Sequence, residues 1–184
     1  VSTTQSCERH SQNVANLTLD EITTKNVNDS IRVFFMRAPL LKESFGDNLA
    51  DIGAFHSSVG FQNIRTGEVW TFEFDAKVFT DAIFPHVEGN ETLVWNTGSE
   101  VCFEGKLNKT PARKLYWTIA RLVSVIDGET YNTLANWIHE YAQNTPLYQA
   151  LNIFDVSSDP PTLKYQASTC SDFTFNVLAY LKND

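Results

Sequence analysis

The stretch Ala54-Phe-His-Ser-Ser-Val-Gly-Phe-Gln-Asn-Ile64, with Arg65-Thr-Gly-Glu68 and Val69-Trp-Thr-Phe-Glu-Phe-Asp75 after it, decides the fold. Two alternating runs flank a Thr-Gly pair, the pattern of a β-hairpin. Residues two apart on a strand share a face. Phe55, Val59 and Phe61 therefore fall on one side of the first strand, and Trp70, Phe72 and Phe74 on one side of the second. With Thr66 and Gly67 as the turn, Arg65 pairs with Glu68 and the two aromatic sets meet on one face. The other face carries His56, Ser58 and Gly60 with Thr71, Glu73 and Asp75. A histidine and two carboxylates thus share the less apolar side. In this register Glu73 lies opposite Gly60, about 13 Å along the strand from His56, and Asp75 is closer. A longer turn or a bulge would bring Glu73 nearer.

Upstream, residues 1–30 are rich in Ser, Thr and Asn and read as a polar leader, with the core expected from residue 31. Ile31, Val33, Phe34 and Phe35 have the bias of a buried strand that stops at Pro39. Downstream, Pro85, Gly89, Gly98 and Gly105 break the chain into loops or short strands around Leu93-Val-Trp95 and Val101-Cys-Phe103. Tyr116 to Ile126 reads as a long strand. Asp127-Gly-Glu-Thr130 starts a helix whose stripe is Tyr131, Leu134, Ala135, Ile138, Tyr141 and Ala142, ended by Asn144 and Pro146. Tyr148 to Val156 is a further strand before Asp159-Pro-Pro161. Ser168-Thr169 then precedes Cys170, and Phe173, Val177, Leu178 and Leu181 form an amphipathic helix. Cys170 stands at its start.

The 184 residues suit one domain, large enough to bury about two-thirds of its unfolded surface without metal or disulfide staples. Fourteen basic against 22 acidic residues give a net charge of −8, which argues against nucleic acid or an anionic membrane held by charge alone. No apolar run approaches the ~18 residues of a spanning helix. The chain opens at Val1 with a single methionine, Met36, so its start reads as processed or engineered. Asn16, Asn28, Asn90 and Asn108 stand in Asn-x-Ser/Thr patterns, all in polar, turn-like segments, and point to the secretory pathway. There are three cysteines, Cys7, Cys102 and Cys170, without zinc spacing; in a secreted protein an odd count implies one disulfide and one thiol.

A thiol at a helix N-terminus feels the positive end of the macrodipole, which favours the thiolate, and nearby backbone N–H groups can hold an oxyanion. A strand histidine would take the thiol proton and a carboxylate would orient the ring. His56, Glu73 and Cys170 supply these types in order, although the bland reading is a buried or disulfide-bonded cysteine and a merely hydrogen-bonded histidine. His86 could line the site but reads better as a structural loop residue, and His10 and His139 have no partner pattern, His139 being expected at the surface. Trp95, Trp117 and Trp137 read as core. Ser57 and Ser58 lack a nucleophile elbow, so a serine hydrolase is rejected. The acidic pairs lack calcium-loop spacing, and no metal or organic cofactor is implied.

One succession of residues carries a resemblance. Ile31-Arg-Val-Phe34, Arg37-Ala-Pro39, Phe45-Gly-Asp47, Phe55-His-Ser-Ser-Val-Gly-Phe61, Thr66-Gly67, Trp70-Thr-Phe-Glu73, Phe84-Pro-His86, Trp95-Asn96, Cys102-Phe-Glu-Gly105 and Cys170-Ser171 run in the order of the ceroid-lipofuscinosis neuronal protein 5 family. The sequence resembles that family from about residue 31 to its end. The resemblance implies an α+β, circularly permuted NlpC/P60 papain-like fold, with an antiparallel sheet packed against helices, in a glycosylated protein of the lysosome lumen. Matched residue by residue, it implies Cys170 as nucleophile, His56 as general base and Glu73 as its acidic partner; Glu73 is kept over Asp75 on this ground alone. Cys7 and Cys102 are then left to pair. The implied activities pass through an acyl-cysteine: transacylation of lysophosphatidylglycerol to bis(monoacylglycero)phosphate, or removal of S-acyl groups from proteins. Substrates would be met at a lumenal membrane surface.

Two departures bear on the lipid site. The chain ends 14 residues after Cys170, where the family usually continues, and a second cysteine often found between Trp95 and Cys102 is absent. The expected organisation is a leader over 1–30 and one catalytic domain over 31–184. The rivals are a non-catalytic lumenal glycoprotein that binds sorting or membrane partners, and a cysteine peptidase of the same fold.

Overall fold

The computed structural model describes residues 11–39, 55–76, 86–88, 92–94, 103–111, 119–149, 154–155, 157, 159–160, 162–163 and 167–182. In chain order these form β1 (Gln12–Asn13), a short 3₁₀ turn (Val14–Asn16), α1 (Leu19–Ile22), β2 (Ser30–Pro39), β3 (Phe55–Asn63) and β4 (Val69–Ala76). There follow β5 (His86–Glu88), β6 (Thr92–Val94), β7 (Phe103–Pro111), β8 (Ile119–Asp127) and α2 (Gly128–Gln143). Last come β9 (Leu147–Tyr148), β10 (Phe154–Asp155), β11 (Thr162–Leu163), β12 (Ala167–Ser168) and α3 (Cys170–Lys182). The protein is α+β. One sheet runs β12-β9-β7-β4-β3-β2-β8, with β1 also paired to β7, and all its pairings are antiparallel except β12 with β9.

The hairpin forms as its alternation requires, but through a longer turn. Asn63 Oδ1 accepts the backbone N–H groups of Arg65 and Thr66 at 2.9 and 3.1 Å, and Gly67 N–H donates to the Asn63 carbonyl at 2.8 Å. Gly67, near the end of the loop, takes the left-handed conformation at φ 73° that only glycine adopts comfortably. The ladder therefore runs from Gln62 opposite Val69 to Val59 opposite Phe72, a two-residue slip from the expected register. Because side chains alternate with period two, the slip leaves every residue on its expected face. Phe61, Phe72 and Phe74 are buried on one face, against Tyr131 of α2 and Phe173 of α3. Gly60 lies on the other face; a Cβ there would stand 2.3 Å from Met36 Sδ, so the thioether crosses the space that a side chain would take.

Both long helices obey their local signals. Asp127 caps α2 by accepting the Thr130 N–H at 2.8 Å, and Tyr131, Leu134, Ala135, Ile138 and Ala142 are its buried stripe. Several expectations need correction. Within the described part of the polar stretch before residue 31, Val14, Leu17 and Ile22 are buried in the core, carried by short elements that a long-window pattern does not reveal. Phe103 onward is a nine-residue strand rather than a broken piece, because Gly105 is required where Pro146 and the Phe74 ring approach the backbone. Asn108 lies within that strand, flanked by β4 and β1, not in a turn; Asn16 and Asn28 are exposed. Of the strand expected over Tyr148 to Val156, the described residues show Tyr148 in β9 and Phe154–Asp155 in β10, on different partners, with 150–153 and 156 outside the described residues. Among the described residues no helix is long and apolar enough to cross a membrane.

Candidate active site

Three residues ahead of Phe173, the chain enters α3 through a reciprocal cap. Asp172 Oδ2 accepts the Thr169 backbone N–H at 2.7 Å and its hydroxyl at 3.1 Å, and Asp172 N–H donates to Thr169 Oγ1 at 3.1 Å. The cap places Cys170 at the first helical position, with Phe173 and Val177 buried beneath the helix. Cys170 is present as a thiol and is 1% exposed.

The register explains what this helix start meets. The β3–β4 ladder ends at Val59 opposite Phe72, yet β3 continues back to Phe55 along β2 and β4 continues to Ala76 along β7. The two strands therefore part, and Ser58 Oγ donates to the Phe72 carbonyl at 2.9 Å where they begin to do so. His56 stands on one bank of this split and Glu73 on the other, with His56 Nε2 3.4 Å from Glu73 Oε2. Both are buried. The His56 ring also hydrogen-bonds the Cys170 thiol. The three sequence-nominated side chains are thus brought together.

The electrostatics follow from these contacts. Burial pushes the Cys170 thiol up, but the His56 charge, the hydrogen bond to its ring, and hydrogen bonds from Ser57 backbone and side chain together outweigh it. The net result is a thiol below its ordinary value, the direction that favours a thiolate. Asp75 goes the other way. Burial raises its carboxyl most; the neighbouring charge of Glu73 also raises it, against His56, the Ala76 N–H and Lys106. The slipped register brings Glu73 to His56 without needing Asp75 in its place.

Sequence reasoning did not foresee two members of this cluster. Ser57, rejected as a nucleophile, touches the helix instead, its hydroxyl 3.1 Å from Ser171 Oγ and 3.3 Å from Thr174 Oγ1, while Thr174 donates to the Cys170 carbonyl at 3.0 Å. Its alternation relative to His56 was the available signal. Thr71, on the Glu73 face by the same alternation, donates to Glu73 Oε1 at 2.7 Å.

The remaining nominations divide. His139 is half-buried and its Nε2 lies 3.0 Å from the Leu17 carbonyl, a partner invisible to helix periodicity because it lies just past the 3₁₀ segment. Trp137 packs against the core, 6.3 Å from Phe173. The His86 backbone pairs with Val94. Cys7, Cys102, Asn90, His10, Trp95 and Trp117 lie outside the described residues. Among the described residues no cluster of His, Cys, Asp and Glu is arranged to hold a metal ion. A cavity of about 400 Å³ bordered by Gln12, Trp70, Lys109 and Pro111 includes none of the three clustered side chains.

A helix-borne thiol, a strand histidine and a buried carboxylate on an α+β scaffold define a protein with a Cys-His-Glu cluster, whose available chemistry is nucleophilic. The family model described as Ceroid-lipofuscinosis neuronal protein 5 matches residues 12–183, and the chain belongs to that family. It is 29% identical over 164 residues to the Ceroid-lipofuscinosis neuronal protein 5 homolog of Dictyostelium discoideum, covering 86% of this chain and 50% of that protein. Cln5-like protein 1 of the same organism is 29% identical over 154 residues, 82% of this chain and 39% of the relative. The Homo sapiens protein named Bis(monoacylglycero)phosphate synthase CLN5 is 27% identical over 161 residues, 82% of this chain and 43% of its own length. The chain thus spans half or less of these relatives.

Proposed function

We propose that this domain transfers acyl groups through an acyl-cysteine at Cys170, with His56 as general base and acid and Glu73 orienting the ring. The observation that carries the reading is the His56 ring between the Cys170 thiol and Glu73, at a thiol held below its ordinary value despite burial. With Nε2–H directed at Glu73, the other ring nitrogen takes the thiol proton. The thiolate attacks an acyl ester or thioester, and the tetrahedral oxyanion is assigned to the backbone N–H groups of Cys170 and Ser171 in the first turn of α3. The imidazolium protonates the departing group. His56 then deprotonates the acceptor, which attacks the acyl-cysteine and regenerates the thiol.

The relatives named bis(monoacylglycero)phosphate synthase favour a lysophospholipid as donor and a glycerol hydroxyl as acceptor, hence transacylation of lysophosphatidylglycerol. Protein S-deacylation would use the same intermediate, with water as acceptor. In this reading the fold is a permuted NlpC/P60 papain-like domain working in the lysosome lumen at a membrane surface. Glycans at Asn16 and Asn28 and a Cys7–Cys102 disulfide are consistent with that setting. The test is turnover of lysophosphatidylglycerol in vesicles. Cys170→Ser and His56→Ala should each abolish it, whereas Glu73→Gln should leave a reduced rate. Full turnover by Cys170→Ser would overturn the proposal.

A further inference from the structure

The carboxylate that faces His56 is held more closely from behind than from in front. Glu73 Oε2 lies 3.4 Å from His56 Nε2, a long contact, whereas Glu73 Oε1 receives the Thr71 hydroxyl at 2.7 Å. Glu73 has three side-chain torsions, and a single contact at one oxygen leaves the carboxylate plane free to turn. A second contact at the other oxygen fixes it. Thr71 is itself well placed to be the fixed point. It is fully buried, β-branched in a strand, and paired in register with Thr110 of β7, whose carbonyl lies 3.2 Å from the same hydroxyl. The hydroxyl has one proton for two acceptors, and the shorter distance and the acceptor's charge direct it to the carboxylate.

We propose that Thr71 is a positioning residue of the site: its hydroxyl, lodged beside the Thr110 carbonyl, fixes the Glu73 orientation that faces His56. This rests on the reading of Cys170, His56 and Glu73 given above. It adds a fourth member to the line, reaching the thiol only through Glu73 and His56. Thr71 touches neither substrate nor reacting atoms. Its loss therefore acts on the readiness of the Cys170 thiolate and on kcat, and leaves KM nearly unchanged.

The experiment measures the pH dependence of Cys170 alkylation by iodoacetamide in the full chain, by mass spectrometry. The variants are Thr71→Val, Thr71→Ser, Glu73→Ala and the double variant that joins Thr71→Val to Glu73→Ala. Thr71→Val keeps the shape and removes the donor. It should slow alkylation about three- to tenfold on the acid side and move the profile toward that of an ordinary thiol. Thr71→Ser, which returns the hydroxyl, should restore the rate. In the Glu73→Ala background the threonine change should add nothing. Thr71→Ala replaces the valine variant if crowding prevents folding, and thermal melts confirm native structure in each case. A folded Thr71→Val or Thr71→Ala protein alkylating like wild type, while Glu73→Ala is slow, overturns the role of Thr71 and leaves the site reading intact. Glu73→Ala alkylating like wild type overturns the reading of Glu73 and this inference with it.

Discussion

Replacing Gly105 by alanine tests how closely the sheet is packed beneath the site. A Cβ built there lies 2.4 Å from the Pro146 carbonyl oxygen and 2.5 and 2.6 Å from two Phe74 ring carbons. Ordinary contact begins at 3.4 Å, so about an ångström must be found on each side. Neither neighbour is the loose end of a flexible chain. Pro146 offers its backbone between α2 and β9, and the fully buried Phe74 ring stands against Tyr141 and Tyr148 at 5.8 and 5.5 Å. Overpacking of this kind costs about 1–3 kcal/mol, and rigid neighbours on both sides place Gly105→Ala near the upper end of that range. For a chain of this length that is a fall in Tm of about 6–12 °C. Gly67→Ala is the control, with nothing within 4 Å of its Cβ but a φ of +73°, so its cost of about 1 kcal/mol comes from backbone strain alone. Urea unfolding followed by circular dichroism gives both values. A loss below about 0.5 kcal/mol for Gly105→Ala, or one smaller than that of Gly67→Ala, would refute the packing argument.

Two further outcomes follow from polar contacts. Arg65, then Asn63, hydrogen-bond Asp29 and hold its carboxyl at about 2, below the ordinary 3.8. A depressed folded-state value means that the stabilisation is present above about pH 4 and is lost as pH falls toward 2. Melting temperatures of wild type should therefore drop more steeply over that window than those of Asp29→Asn; parallel curves would contradict this. Tyr131 accepts the Trp70 indole N–H at 3.1 Å and donates to the Ile22 carbonyl at 2.6 Å, all buried. Tyr131→Phe leaves both groups without that partner and should cost about 1–3 kcal/mol in urea unfolding, with a loss under about 0.5 arguing that they find others.

What was legible in the sequence was what alternation and caps encode. The faces of β3 and β4 survive a two-residue slip because the period of a strand is two, so His56 and Glu73 share a side in both the expected and the observed register, whereas a one-residue slip would have parted them. Asp127 and Thr169 mark their helix starts with their own side chains. The register itself was not legible, because Asn63, outside the Thr-Gly pair, organises the turn through its side chain. Nor was β7, where Gly105 looks like a break until Phe74 and Pro146 are seen against it. The chemistry of the site depends on that hidden part. Two residues of slip separate a Glu73 too distant from His56 from one at 3.4 Å. Ser57 and Thr71 were overlooked for a related reason: each acts through a partner distant in sequence or through a neighbour's side chain, which a motif does not record.

Acyl transfer as proposed passes through a covalent acyl group on Cys170. Protein incubated briefly with lysophosphatidylglycerol carrying an isotope-labelled acyl chain, quenched in acid and digested, can be read by mass spectrometry at the peptide that contains Cys170. The expected result is the labelled acyl mass on Cys170, released by neutral hydroxylamine and absent in Cys170→Ser. Its contradiction would be product formed at the normal rate with no label on Cys170, or with the label on another residue.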